Sequence, residues 1–133
     1  MPILKKLLVM GLPGAGKTTL STILARRLNA VHFDADAVRA EINKDLGFSL
    51  DDRIEQARRM GWLCDQVVTA NTHAIADFIC PTPETRAAFG PAFTIWVDRI
   101  QESRFKDTDR LFVPPEPFDM RVTAEGTAEY WAE

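Results

Sequence analysis

The sequence has little cysteine, no excess of positive charge and no long apolar run. Cys64 and Cys80 stand apart, form no C-x-x-C pair and sit among apolar neighbours. That pattern reads as two buried thiols rather than a disulfide framework. No cluster of histidine, cysteine and acid offers a ligand set for a transition metal. His32 and His73 fall in strand-like stretches and read as packed strand residues. The formal net charge of −3 gives no sign of a polybasic surface for non-specific nucleic-acid binding, and leaves room for a local basic groove. No stretch reaches the length that spans a bilayer. The apolar start is interrupted by Lys5 and Lys6 and lacks a small-residue cleavage site, so it reads as a strand and not a signal peptide. A cytoplasmic protein is expected. There is no internal repeat, linker or low-complexity tract.

What remains is an ordinary globular mixture: 133 residues, 46% apolar and 26% charged, enough for one domain spanning residues 1–133. Ile3–Met10 reads as a buried strand and Lys17–Leu28 as a helix, with Leu20, Ile23, Leu24 and Leu28 at helical spacing. Ala30–Phe33 is a second strand and Asp36–Asn43 a short helix. Ser49 is a helix N-cap, followed by Asp51 and Asp52 where the dipole favours acids. From there Leu50, Ile54, Ala57, Met60, Cys64 and Val67 form one apolar stripe on a helix reaching about Asn71. His73–Ile79 and Ala92–Val97 are further strands, with a short helix at Glu84–Phe89 between them. Gln101–Phe112 reads as a short helix followed by a mobile loop. Pro114, Pro115 and Pro117 form a stiff connector, Phe118–Val122 a last strand, and Ala124–Trp131 a terminal helical turn or two. Strands alternating with helices predict a three-layer α/β fold with a mainly parallel central sheet flanked by helices. Trp62, Trp96 and Trp131 belong to a core or an interface, and oligomeric state is not legible.

Gly11-Leu12-Pro13-Gly14-Ala15-Gly16-Lys17-Thr18 satisfies G-x-x-x-x-G-K-S/T between a strand and a helix. Gly11, Gly14, Ala15 and Gly16 let the backbone curl so that its N–H groups face phosphate oxygens at a helix N-terminus. Lys17 is expected to reach the β- and γ-phosphates, and Thr18 to offer its hydroxyl to Mg²⁺, with Thr19 adjoining. ATP with Mg²⁺ is the expected cofactor pair. The chain is small, carries no Asn/Thr-Lys-x-Asp guanine-reading motif and has no domain that would harness hydrolysis, all of which lean towards a kinase. Asp34-Ala35-Asp36-Ala37-Val38-Arg39 follows the second strand at the crevice end of the sheet. Its carboxylates suit an acceptor hydroxyl and its guanidinium an acceptor anion. Either aspartate is equally explained as the cap of the next helix.

At these residues the sequence resembles the adenylylsulfate kinase family. The resemblance rests on Gly11–Thr19, Asp34–Arg39, Asp45-Leu46-Gly47-Phe48-Ser49 with Asp52-Arg53-Ile54-Glu55-Gln56-Ala57-Arg58-Arg59, and Phe78-Ile79-Cys80-Pro81, in that order from Ile3 to Pro81. It implies a P-loop kinase that transfers the γ-phosphate of ATP to a hydroxyl of a nucleotide-type acceptor. Lys17, Asp36 and Asp34 would carry the transfer, with Asp36 as the acceptor-side base. Arg39 and Arg53 would hold the acceptor's anionic groups and Phe48 would pack on its base. Arg58 and Arg59 read as a solvated helix face.

The sequence departs from the family pattern at four places. Gln56, expected to contact the acceptor, replaces the motif Asn and would re-aim one acceptor hydrogen bond; Ala35 replaces the middle Gly of D-G-D. Asp77 stands where the family has a small residue; it would be an acceptor contact, a neighbour of Mg²⁺, or a salt-bridge partner of an arginine. Only fifteen residues separate Asp98 from Pro114, where family members carry a long segment that closes over the sulfonucleotide. Arg104–Phe112 would be a reduced lid, with Arg104 and Arg110 reaching the triphosphate. An open site suits a larger acceptor, and bacteriophage kinases that phosphorylate 5-hydroxymethyluracil in DNA resemble small P-loop kinases of this kind. In that case Arg39, Arg53, Arg104, Lys106 and Arg110 would form a basic track with Phe105 and Phe112 as stacking platforms, and the location would be a phage-infected host rather than a bacterium. A nucleotide-binding switch that transfers nothing is the remaining alternative; the paired aspartates argue against it.

Overall fold

A computed structural model describes residues 5–100, 103, 106–116 and 118–123. Arg104, Phe105, Pro117 and the terminal stretch with Trp131 lie outside them. Five strands, β1 (Lys6–Met10), β2 (Val31–Asp34), β3 (Ala74–Asp77), β4 (Phe93–Val97) and β5 (Met120–Val122), form one sheet in the order β2-β3-β1-β4-β5. Every pairing is parallel. β1 and β3 are apolar nearly throughout because helices cover both faces of a parallel sheet. On one face Leu8, Met10, Ala74 and Ala76 pack with Met60, Cys64 and Phe89; on the other, Leu7, Val9, Ile75 and Ile95 pack with Leu20 and Leu24.

Helix α1 (Lys17–Leu28) has the expected bounds and ends on Asn29 in the left-handed region. α2 spans Ala35–Glu41, two residues short of the expected end, and is capped by the Asp34 carboxylate, which accepts from the Asp36 amide. α3 runs Leu50–Thr69 from a Ser49 cap that accepts from the Asp52 amide. α4 (Pro83–Phe89) opens on a reciprocal capping box between Thr82 and Thr85. The later part of Gln101–Phe112, expected to be a mobile loop, is helical: α5 spans Lys106–Leu111, and most of the stretch before it lies outside the described residues. Weak periodicity hid it, since its hold is tertiary. Thr108 accepts from Arg53, the Val113 amide donates to the Pro81 carbonyl, and Arg86 donates to the Val113 carbonyl. Phe112 packs against the core beside Arg86 and is not a free stacking platform. Trp96 joins the core edge against Phe118, whereas Trp62 is 57% exposed. Both cysteines are buried and free, and burial pushes each thiol up to about 12.

α3 packs tightly on α4 at Gly61, where an added Cβ would stand 2.2 Å from the Phe89 carbonyl oxygen. That carbonyl is itself held by Lys6 Nζ at 2.6 Å, and Lys6 also pairs with Asp65 on α3 at 3.0 Å. Alanine at a mid-helix position ordinarily gains about 1 kcal/mol over glycine. Here the backbone contact reverses the sign, because α4 must move and overpacking costs about 1–3 kcal/mol. Denaturant unfolding of Gly61→Ala is expected to show net destabilisation; a more stable variant would mean that α4 yields freely.

Candidate active site

The C-terminal ends of β1, β2 and β3 open into a cleft of about 1090 Å³. One wall is the loop after β1, represented by Gly14, Gly16, Lys17, Thr18 and Thr19. The opposite wall carries Asp34, Asp36, Arg39, Phe48, Arg53 and Gln56, and Asp77 forms part of the floor. Gly11 and Ala15 are buried behind the loop. Lys106 of α5 lines the cleft; Arg110 is exposed and is not among the lining residues.

The loop is shaped for an anion. Gly14 and Gly16 have φ of 82° and 93°, the left-handed region where glycine carries no steric penalty. α2, α3 and α4 each receive a side-chain cap, whereas α1 has none and no acid in its first turn. The N–H groups at the start of α1 are therefore left for a ligand, and the helix dipole favours a negative one. Lys17 is 9% exposed, and its Nζ donates to the Leu12 carbonyl at 2.9 Å. Burial lowers its pKa below the ordinary lysine value, against the opposing pull of Asp77, Asp36 and Asp34. Thr18 Oγ1 donates to Asp77 Oδ2 at 2.7 Å. A hydroxyl and a carboxylate side by side form the hard oxygen donor set that suits Mg²⁺. The residues present thus fit a triphosphate with its cation.

Asp77 is 2% exposed. An ion pair with arginine was one of the expectations for it; its partners are instead Thr18 and His32, whose Nε2 lies 3.2 Å from Oδ2. Asp34 does cap α2, and it also borders the cleft, so the two readings of that residue coexist. Burial raises the Asp34 pKa most, and the Asp77 and Asp36 charges add to it, while the bond from the Asp36 amide lowers it. Asp36 is exposed at the first turn of α2.

On the far wall Phe48 is 68% exposed. The Arg39 and Arg53 guanidinium carbons sit 4.5 and 5.6 Å from its ring centroid. Arg39 donates to the Gly47 carbonyl at 2.6 Å and Arg53 to the Phe48 carbonyl at 2.9 Å. Gln56 is turned inward, accepting from Asn43 at 2.8 Å and donating to the Ala35 carbonyl. Arg59 departs from the expected solvated face. It clasps Asp45 with bonds of 2.8 and 3.0 Å and also bonds Glu55 and Asn43, fixing the loop that carries Phe48.

Strand order, uncapped α1 and the glycine loop together define a P-loop α/β protein whose cleft is also lined by Asp36, Arg39, Phe48 and Arg53. Within that class the chain belongs to the adenylylsulfate kinase family, whose model, described as Adenylylsulphate kinase, matches residues 5–97. An adenylyl-sulfate kinase of Oceanobacillus iheyensis is 42% identical over 81 residues, covering 57% of this chain and 41% of that protein. One of Shewanella pealeana is 44% identical over 81 residues, covering 57% and 40%. The chain thus spans less than half the length of these relatives. The structure of the Mycobacterium tuberculosis APS kinase CysC in complex with AMPPNP and APS has a TM-score of 0.83 at 23% identity, over 98% of this chain and 95% of that one. Shikimate kinase from Aquifex aeolicus reaches 0.64 at 15%, over 96% and 90%. At these identities the likeness is one of fold. No helix among the described residues is long and apolar enough to cross a membrane.

The raised pKa of Asp34 carries a sign. The folded state holds that proton more tightly than the unfolded chain, so the contribution to stability is present at low pH and is lost as pH rises through the raised value. Asparagine caps a helix as well as aspartate does. Asp34→Asn is therefore expected to raise Tm at neutral pH, with the gain shrinking as pH falls towards 3.8, the ordinary aspartate value; a gain independent of pH would assign it to another cause.

Proposed function

We propose that the chain is an ATP-dependent kinase that transfers the γ-phosphoryl group to a hydroxyl of a nucleotide-type acceptor, with adenylylsulfate as the acceptor. The observation that carries this is one cleft lined on one side by the phosphate loop and on the other by Asp36, Arg39, Phe48 and Arg53. A protein that only binds and releases nucleotide needs no second wall of this kind.

Lys17 and the open N-terminus of α1 bind the phosphates and stabilise the charge that spreads over the transferred group. Thr18 and Asp77 supply oxygens for Mg²⁺, which neutralises phosphate charge when bound. Asp34 fixes the first turn of α2 through the Asp36 amide, and so sets where the Asp36 carboxylate stands. Asp36 orients the acceptor hydroxyl and takes its proton. Arg39 and Arg53 bind the acceptor's anionic groups, and Phe48 offers an aromatic face to its base. Gln56 serves this wall indirectly, by bracing α2 against Asn43.

Incubation with γ-labelled ATP and either adenylylsulfate or DNA containing 5-hydroxymethyluracil decides the acceptor. Label is expected in adenylylsulfate; label in the DNA alone would replace the acceptor, and label in neither would leave a nucleotide-binding switch. Asp36→Asn is expected to cut transfer by about 100-fold or more while ATP affinity stays within a few-fold. Lys17→Ala is expected to weaken ATP binding by roughly tenfold or more, the scale of a lost hydrogen bond to a charged group. Equal loss of both properties in Asp36→Asn would place that carboxylate on the ATP side.

A further inference from the structure

His32 is left over from this account. It sits on β2 opposite Ile75 of β3, while Asp34 is opposite Asp77. Register partners share a face of the sheet, so His32 is the diagonal neighbour of Asp77, a separation that a long or aromatic side chain spans. The contact is made: His32 Nε2 lies 3.2 Å from Asp77 Oδ2, the atom that also accepts from Thr18. Among the described residues no hydrogen bond reaches Asp77 Oδ1, and Asp77 lines the cleft.

We propose that His32 is a positioning residue for the divalent cation that accompanies the nucleotide. With its hydrogen on Nε2 it donates to Oδ2 and locks the carboxylate's rotation. Oδ1 and the Thr18 hydroxyl then face the cation from fixed places. A lysine or arginine bonded at this spot would satisfy the buried carboxylate equally well and would cancel the charge a cation needs. An imidazole N–H holds the orientation and leaves the charge in place. Ligands fixed in this way by a neighbouring hydrogen bond are the rule at metal sites, and losing the neighbour typically costs about 10–100-fold in metal affinity. The inference rests on the proposed use of Thr18 and Asp77, and goes beyond it to a residue that is not part of the cleft lining.

The test needs no acceptor and no turnover. Binding of a fluorescent ATP analogue is measured as Mg²⁺ is titrated, for wild type, His32→Gln and His32→Met. The two substitutions are similar in length and volume and differ in whether they carry a donor, and thermal unfolding checks that each is folded. His32→Gln is expected to keep the wild-type Mg²⁺ midpoint. His32→Met is expected to raise it about tenfold or more, with analogue affinity in the absence of Mg²⁺ unchanged. Identical midpoints for Met and wild type would overturn the proposal. So would equal weakening with and without Mg²⁺, which marks a merely structural role, or failure of Gln to restore what Met loses. Mg²⁺-independent analogue binding by the wild type would reject the cation site itself, while leaving the acceptor experiment above to stand separately.

Discussion

The parallel register of three neighbouring strands governs the whole site. β2, β3 and β1 end level with one another: Asp34 is opposite Asp77, Asp77 is opposite Val9, and the phosphate loop begins directly after Met10. Strands lie about 4.8 Å apart, so two carboxylates and the start of an anion-binding loop occupy a strip roughly 10 Å wide. A slip of β3 by one residue would turn its side chains over. Asp77 would then enter the cluster of Met10, Met60 and Cys64, where Ala76 now packs. An unpaired carboxylate there is far more costly than the alanine. The apolar alternation of β3 therefore secures the register, and the register secures the chemistry.

The far wall is organised differently, by polar ties across a loop. Residues 43–49 have no regular structure beyond a turn, yet four groups hold them. Arg59 grips Asp45, the Asp52 carboxylate accepts from the Gly47 amide at 2.9 Å, and Arg39 and Arg53 take the Gly47 and Phe48 carbonyls. The Phe48 ring is exposed, but its backbone has little freedom left. Ordering carried out during folding is ordering that a ligand need not supply on binding. Arg39 and Arg53 also sit close enough to each other that the Arg53 charge, after burial, lowers the Arg39 pKa. Two like charges held together beside an aromatic face are relieved by an anion between them.

Local chemistry was legible in the sequence, and distant pairing was not. The bounds of α1, the Ser49 cap and the stripe through Ala57, Met60 and Cys64 rest on neighbours within a few residues, and the structure has them. The phosphate loop and the Asp34–Arg39 segment are contiguous, and each lands in the cleft. Arg59 looks solvated along the sequence because its partner Asp45 is reached only once the loop folds back on α3. Asp77 was assigned an arginine as one option because strand order cannot be read along the chain; that β2 lies beside β3, bringing His32, is a fact of topology. The helix at Lys106–Leu111 is not legible for a similar reason, since its hold on the body comes from Arg53, Pro81 and Arg86.

The central place of β1 has a consequence for how the chain reaches this structure. β1 precedes the other four strands in chain order, yet its partners are Ala74–Asp77 on one side and Phe93–Trp96 on the other. Closing such long loops is entropically slow. As the chain leaves a ribosome, β1 and the glycine loop emerge before either sheet partner of β1, and they must wait until most of the described sequence has been synthesised. Lys5 and Lys6 interrupt the apolar segment during that interval, and charged residues flanking an unpaired apolar strand are the usual guard against its joining another chain. The two lysines at the start of β1 thus also have a part to play before the protein is finished.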